Sequence, residues 1–239
     1  MRLTCLFLAS ALGCGTTAVT SQSEFYGRVP RPSRIVVLPF ATSPEEVQLD
    51  KSPTVALVWK SEGVSASQEQ RAVGRQVADV LANELVQRIQ ALGLPAERQP
   101  VWPPSEWGPL LVIAGEFLAI DEGTRALRVS VGLGAGASNV RTAVHVYEVV
   151  PEGRRLVDSF DIDAKSGRKP GMAETMGAGA AADHLATAAA VSAAGAVASE
   201  AFGDNVEADA RRTAEKISKM LSSFFVQQGW IPPQPSVLP

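Results

Sequence analysis

Asp158, Asp161 and Asp163 lie close enough together to offer a hard cation several oxygen ligands, and His145 and His184 are each a candidate base or metal ligand. Spacing argues against both uses. In a strand, alternation puts Asp161 and Asp163 on one face and Asp158 on the other, which is the pattern of a solvated edge. His145 falls mid-strand beside Tyr147 and His184 falls within an Ala-rich run, and neither has a cysteine or a second histidine at ligand spacing. Gly132-Leu-Gly134-Ala-Gly136 has the glycines of a phosphate-cradling loop. Alternating β-branched sequence follows it, however, where such a loop would open a helix, and no Lys-Ser or Lys-Thr pair comes after the last glycine. The segment reads as a glycine-softened strand or bulge. No serine occupies a Gly-x-Ser-x-Gly setting. The expectation is a protein with no catalytic residues, no metal site and no cofactor.

The cysteines carry a different chemistry. Arg2, an apolar run from Leu3 to Leu12 and then Gly13-Cys14 form an export signal. Its apolar part, about 10 residues, is half of the ~20 that a bilayer-spanning helix needs. Ala11-Leu12-Gly13-Cys14 resembles the bacterial lipobox, in which the cysteine receives acyl chains such as palmitate and becomes residue one of the mature chain. The lipobox carries Leu three residues before the cysteine and a small residue two before it; here the order is Ala, then Leu. An ordinary signal peptide cut after Ala11 or Ala18 is the alternative. Too little apolar sequence precedes Cys5 for it to compete. Several acyl chains, at about 0.8 kcal/mol per buried CH₂, anchor a protein stably where one does so only marginally. Gly15, where an Asp would retain a lipoprotein at the inner membrane, implies by the same resemblance an outer-membrane anchor facing the periplasm. Residues 1–13 are then the signal peptide and 14–24 a polar tether.

The 239 residues are 46% hydrophobic and 20% charged, so the chain can bury a real core. With 22 basic against 25 acidic residues and a net charge of −3, it lacks the basic footprint of a nucleic-acid binder.

The remaining residues read as one domain over 25–231 and a Pro-rich tail over 232–239. Arg34 to Phe40 is an apolar β-branched strand, which Pro39 places near an edge or a bulge; Val55 to Trp59 is a second short strand. From Ser67 the period changes to 3.6: Val73, Val77, Val80, Leu81, Leu85, Ile89 and Leu92 share one stripe. Ser67 and Gln70 form a candidate capping box, and Gly93 with Pro95 stops the helix. Leu110 to Ile120, Leu127 to Leu133, Val140 to Val150 and Leu156 to Ala164 read as strands, the last with Leu156, Phe160 and Ile162 on one face; the short links between them favour antiparallel pairing. Residues 171–203 contain 14 Ala and 5 Gly and read as a helix that is buried or faces a second copy of the chain in a homo-oligomer. A final helix runs from about Asn205 to Gln228, with Val206, Ala210, Ile217, Leu221 and Phe224 on its stripe, a capping box of Asp204 and Glu207, and Trp230-Ile231 docked beyond it. The fold class is thus α/β of the α+β type. A mainly antiparallel sheet is covered by a long helix, with an Ala/Gly-rich helix and a C-terminal amphipathic helix.

With Leu-Val-Ile-Ala-Gly-Glu-Phe (111 to 117), Ile120-Asp121-Glu122-Gly123, the glycine segment to Ser138 and Gln228-Gly229-Trp230 in place, the chain resembles an uncharacterised bacterial envelope lipoprotein family built on domain of unknown function forty-four-ten. More distantly it resembles the periplasmic domain of the curli secretion channel and the amino-terminal domain of the Tol-Pal β-propeller protein. The resemblance implies no activity and no catalytic residues. The leading expectation is a lipid-anchored, periplasm-facing binding or scaffolding module whose envelope protein partner the sequence does not name. A subunit of an outer-membrane secretion channel is the alternative, because Leu127 to Val150 alternates well enough for a membrane β-hairpin.

Overall fold

The computed structural model describes residues 17–21, 27–50, 63, 65–104, 109–123, 137–165 and 198–233. The expected strands at Val55–Trp59 and Leu127–Leu133, and the Ala/Gly-rich segment up to Val197 with His184, lie outside them.

Among the described residues, seven strands make one sheet in the order β1-β7-β6-β5-β2-β4: β1 (Thr17–Ser21), β2 (Arg34–Val37), β4 (Ala96–Arg98), β5 (Leu110–Asp121), β6 (Asn139–Val150) and β7 (Gly153–Lys165), with β3 (Val47–Gln48) pairing beside the end of β5. The long ladders β5/β6, β6/β7 and β7/β1 are antiparallel. Strand β2 is parallel to both β5 and β4, a pairing made possible by the long helix that links β2 to β4. Strand β2 is therefore interior, so of the two settings expected from Pro39, an edge or a bulge, the edge is not found. Ile35, Val36 and Val37 are wholly buried, as a strand covered on both faces requires. Pro39 costs no hydrogen bond, because Leu38 and Ala41 supply the N–H groups that reach Ile113 and Gly115. Thr17–Ser21, expected within the tether, is instead the edge strand β1.

Helix α1 (Ala66–Ala91) buries Val73, Val77, Leu81, Leu85 and Ile89 of the expected stripe, while Val80 and Leu92 pack half-buried at its margin. Its capping box lies two residues before the expected one. Ser65 is the N-cap, its hydroxyl accepting from the Gln68 N–H at 3.3 Å while the Gln68 Oε1 accepts from the Ser65 N–H at 3.0 Å. The two Ser-x-x-Gln pairs overlap in sequence, and Gln70 is used otherwise: its Nε2 donates to the Val47 carbonyl at 2.8 Å, tying α1 to β3. Gly93, at φ 78°, turns the chain out of the helix.

Helix α2 (Ala198–Gln227) begins earlier than expected, so positions 204 and 207 lie inside it rather than at its start. Glu207 bonds Gln76 of α1 at 2.7 Å and Arg211 at 2.8 Å. Val206, Ala210, Ile217, Leu221 and Phe224 are buried as expected. After Gly229 the Trp230 ring stacks on Phe225 with centroids 5.5 Å apart, and its Nε1 donates to the Val29 carbonyl at 3.2 Å. The two helices lie on one sheet face, and the main core fills the space between, with Leu81, Phe117, Phe160 and Phe225 at its centre.

Two register shifts bend the sheet, one at Leu118 of β5 and one at Val157 of β7. The second corrects an expected face. Val157 joins the core with Phe160 and Ile162, whereas Leu156 pairs with Tyr147 and is 45% exposed. In the part of the expected hairpin that the described residues cover, Val140, Val144 and Val146 of β6 are in the core.

Candidate functional site

The helices cover one face of the sheet, and the sequence-selected polar residues are divided by which face they occupy. Val36, Leu38, Leu110, Val112 and Val149 form a small apolar layer on the other face, which is helix-free among the described residues, and the half-buried Trp102, Ala114 and Tyr147 pack against it. The Trp102 and Tyr147 rings meet edge to face at 5.3 Å, and the Arg154 guanidinium sits 4.2 Å from the Trp102 centroid. His145 is next to Tyr147, with ring centroids 6.3 Å apart. Strand order positions all of these: β6 carries His145 and Tyr147 two residues apart, and Arg154 stands opposite Val149.

His145 Nδ1 and Ser159 Oγ are 3.0 Å apart, the distance of a nucleophile and its base. The surroundings do not complete such a pair. Ser159 is only 7% exposed and sits mid-ladder opposite His145, and among the described residues no carboxylate is hydrogen-bonded to the imidazole. The arrangement satisfies two polar side chains within a sheet.

The aspartates separate as the alternation predicts. Asp161 and Asp163 stand opposite Ala143 and Arg141 on the helix-free face, while Asp158 stands opposite Val146. Asp158 shares the parity of Phe160 and Ile162 and so lies on the core side, and burial pushes its carboxyl above the ordinary 3.8, opposed by a hydrogen bond from the Ser159 N–H at 2.9 Å. Three carboxylates converging on one ion are not found here.

One polar cluster escaped the sequence analysis. Asp209, on the buried side of α2, is fully inaccessible; its two oxygens accept from Ser138 before β6 and from Arg212 one turn on. Thr213 donates to the Asp209 carbonyl at 2.8 Å. The signal was a charged residue at the position next to Ala210 in an otherwise apolar stripe. The cluster joins α2 to the start of β6 and has no opening to solvent at the carboxylate.

No curated protein matches the sequence. Among solved structures, the PelC dodecamer from Paraburkholderia phytofirmans is 17% identical, over 73% of this chain and 94% of that one, with a TM-score of 0.33. A point variant of the same dodecamer is 15% identical, over 72% and 94%, with a TM-score of 0.34. The family model described as Domain of unknown function (DUF4410) matches residues 35–183, from β2 past the end of β7. The chain belongs to that family, as the motifs of β5 and the glycine segment implied.

Proposed function

We propose that the chain is an envelope lipoprotein, acylated on Cys14 and facing the periplasm, that binds or scaffolds another envelope component and carries out no reaction of its own. The observation that carries this reading is the order of its parts. An apolar run too short to span a membrane ends at Gly13-Cys14, and the first strand begins at Thr17. Among the described residues no helix is long and apolar enough to cross a membrane. Gly15 supports sorting to the outer membrane. The helix-free face supports a binding role: its His145 and Ser159 satisfy each other, and its Trp102, Tyr147 and Arg154 offer aromatic and cationic surface.

The test is fractionation of cells expressing the Cys14→Ser chain, with mass analysis of the N-terminal peptide from the parent. The parent is expected in the outer-membrane fraction with an acylated Cys14, and the variant in the soluble periplasmic fraction. A variant that still sediments with the outer membrane, or a parent with an unmodified cysteine, overturns the reading.

A further inference from the structure

Cys14 and the first residue of β1 are separated only by Gly15 and Thr16. Even fully extended, that chain spans no more than about 11 Å. The register of β1 then decides which part of the domain the anchor holds. Thr17 stands opposite Ala164, next to Lys165 at the end of β7; Lys165 stands opposite Asn139 at the start of β6; and Asn139 stands opposite Asp121 at the end of β5. With neighbouring strands about 4.8 Å apart, Asp121 is roughly 14 Å across the sheet from Thr17. The same end receives β3, whose Gln48 pairs with Asp121, and α2, which Asp209 ties to Ser138. The opposite end carries the β6–β7 turn at Glu152 and Gly153, about 40 Å away along the 13 residues of β7.

We infer that the lipid bilayer is the partner of this one end of the domain, formed by the end of β5, the start of β6, the end of β7 and the start of β1, and that the β6–β7 turn points away from the membrane. The inference rests on acylation of Cys14. The chemistry of the end fits a headgroup surface. Two of its acidic side chains are engaged with backbone: Asp121 Oδ1 accepts from the Gly123 N–H at 2.8 Å, and Glu122 Oε2 accepts from the Asp50 N–H at 3.0 Å. Lys165 stands out from the same end, half exposed, and pairs with Asp163 only at 3.7 Å. An edge strand so close to the lipid also has its first residues shielded from the open periplasm, which limits strand addition there. By contrast Trp102, Tyr147, Arg154 and the exposed Leu156 cluster toward the far end, within reach of a protein in the periplasm.

The acylated chain has no free thiol once Cys5 leaves with the signal peptide, so Lys165→Cys and Glu152→Cys each introduce a single labelling site on an exposed residue. Each variant, acylated in the cell, is inserted into preformed vesicles of phosphatidylethanolamine and phosphatidylglycerol that carry a nitroxide on their headgroups. Quenching of a fluorophore at position 165 is expected to be several-fold stronger than at position 152. Equal quenching, or stronger quenching at 152, overturns the inference while an acylated N-terminal peptide leaves the anchor standing. An unmodified Cys14 in the same samples overturns the anchor itself, and the inference with it.

Discussion

Gly115 lies mid-strand in β5, where an added methyl has nowhere to go. An ideal Cβ there would come within 2.3 Å and 2.5 Å of Phe40 ring carbons and 2.6 Å of the Ala143 carbonyl oxygen. Ordinary carbon contacts lie at ~3.5–4.0 Å, so both neighbours would have to retreat by about 1 Å. The Phe40 ring is 2% exposed and tilted against Phe117 with centroids 6.0 Å apart, and the Ala143 carbonyl belongs to β6, which is paired on both sides. Overpacking into such a site costs ~1–3 kcal/mol and more where backbone must move, so Gly115→Ala is expected at about 3 kcal/mol. For a domain of this size that lowers the melting temperature by roughly 6–12 °C. Urea denaturation of the Cys14→Ser chain measures it. A cycle with Phe40→Ala separates the two contacts. Removing the ring is expected to relieve part of the cost, but the double variant remains less stable than Phe40→Ala alone, because the carbonyl is still in place. A Gly115→Ala midpoint equal to that of the parent refutes the close approach of β2, β5 and β6. A double variant as stable as Phe40→Ala refutes the backbone contact.

The other expectations concern the core, the buried cluster and pH. Leu81→Ala, at the centre of the α1 stripe and wholly buried, is expected to cost ~2–5 kcal/mol in the same denaturation assay, and an unchanged midpoint would put the stripe on the wrong face. Asp209→Ala strips the carboxylate from Ser138 and Arg212 and is expected to cost ~3–5 kcal/mol; Asp209→Asn, which keeps an acceptor of the same shape, should cost less, and equal losses would contradict the cluster. Asp158 holds its proton more tightly folded than unfolded, so its contribution to stability is present below the unfolded value of 3.8 and is lost as pH rises through the raised folded value. Asp158→Asn is therefore expected to stabilise the domain near neutral pH, with the gain vanishing on acidification below 3.8; a gain that grows with acid would reverse the sign and refute it.

The parts of this fold that were legible in the sequence are those whose pattern is long compared with its period. Five apolar residues at helical spacing on α1 and long runs for β5 and β6 outvote any local irregularity, so both the elements and their buried faces follow from the sequence. Elements of three to five residues have no such redundancy. Strand β4 is Ala96–Arg98 and its pattern carries no period; β1 lies within residues 14–24, which read as polar tether until β7 supplies its partner. A single inserted residue defeats alternation in a different way. Val157 shifts every later residue of β7 by one face, so Leu156 and Phe160 agree in parity and yet point to opposite sides. Parallel pairing of β2 had a sequence signal, the unbroken run Ile35-Val36-Val37, since only a strand covered on both faces can be apolar at successive positions. The candidate site follows the same logic. Each polar residue was visible, but whether His145 meets a serine or a carboxylate depends on which residue of β7 stands opposite it, and the bulge sets that register. Chemistry at this face is therefore decided by one inserted residue between Leu156 and Asp158, a quantity that alternation alone does not contain.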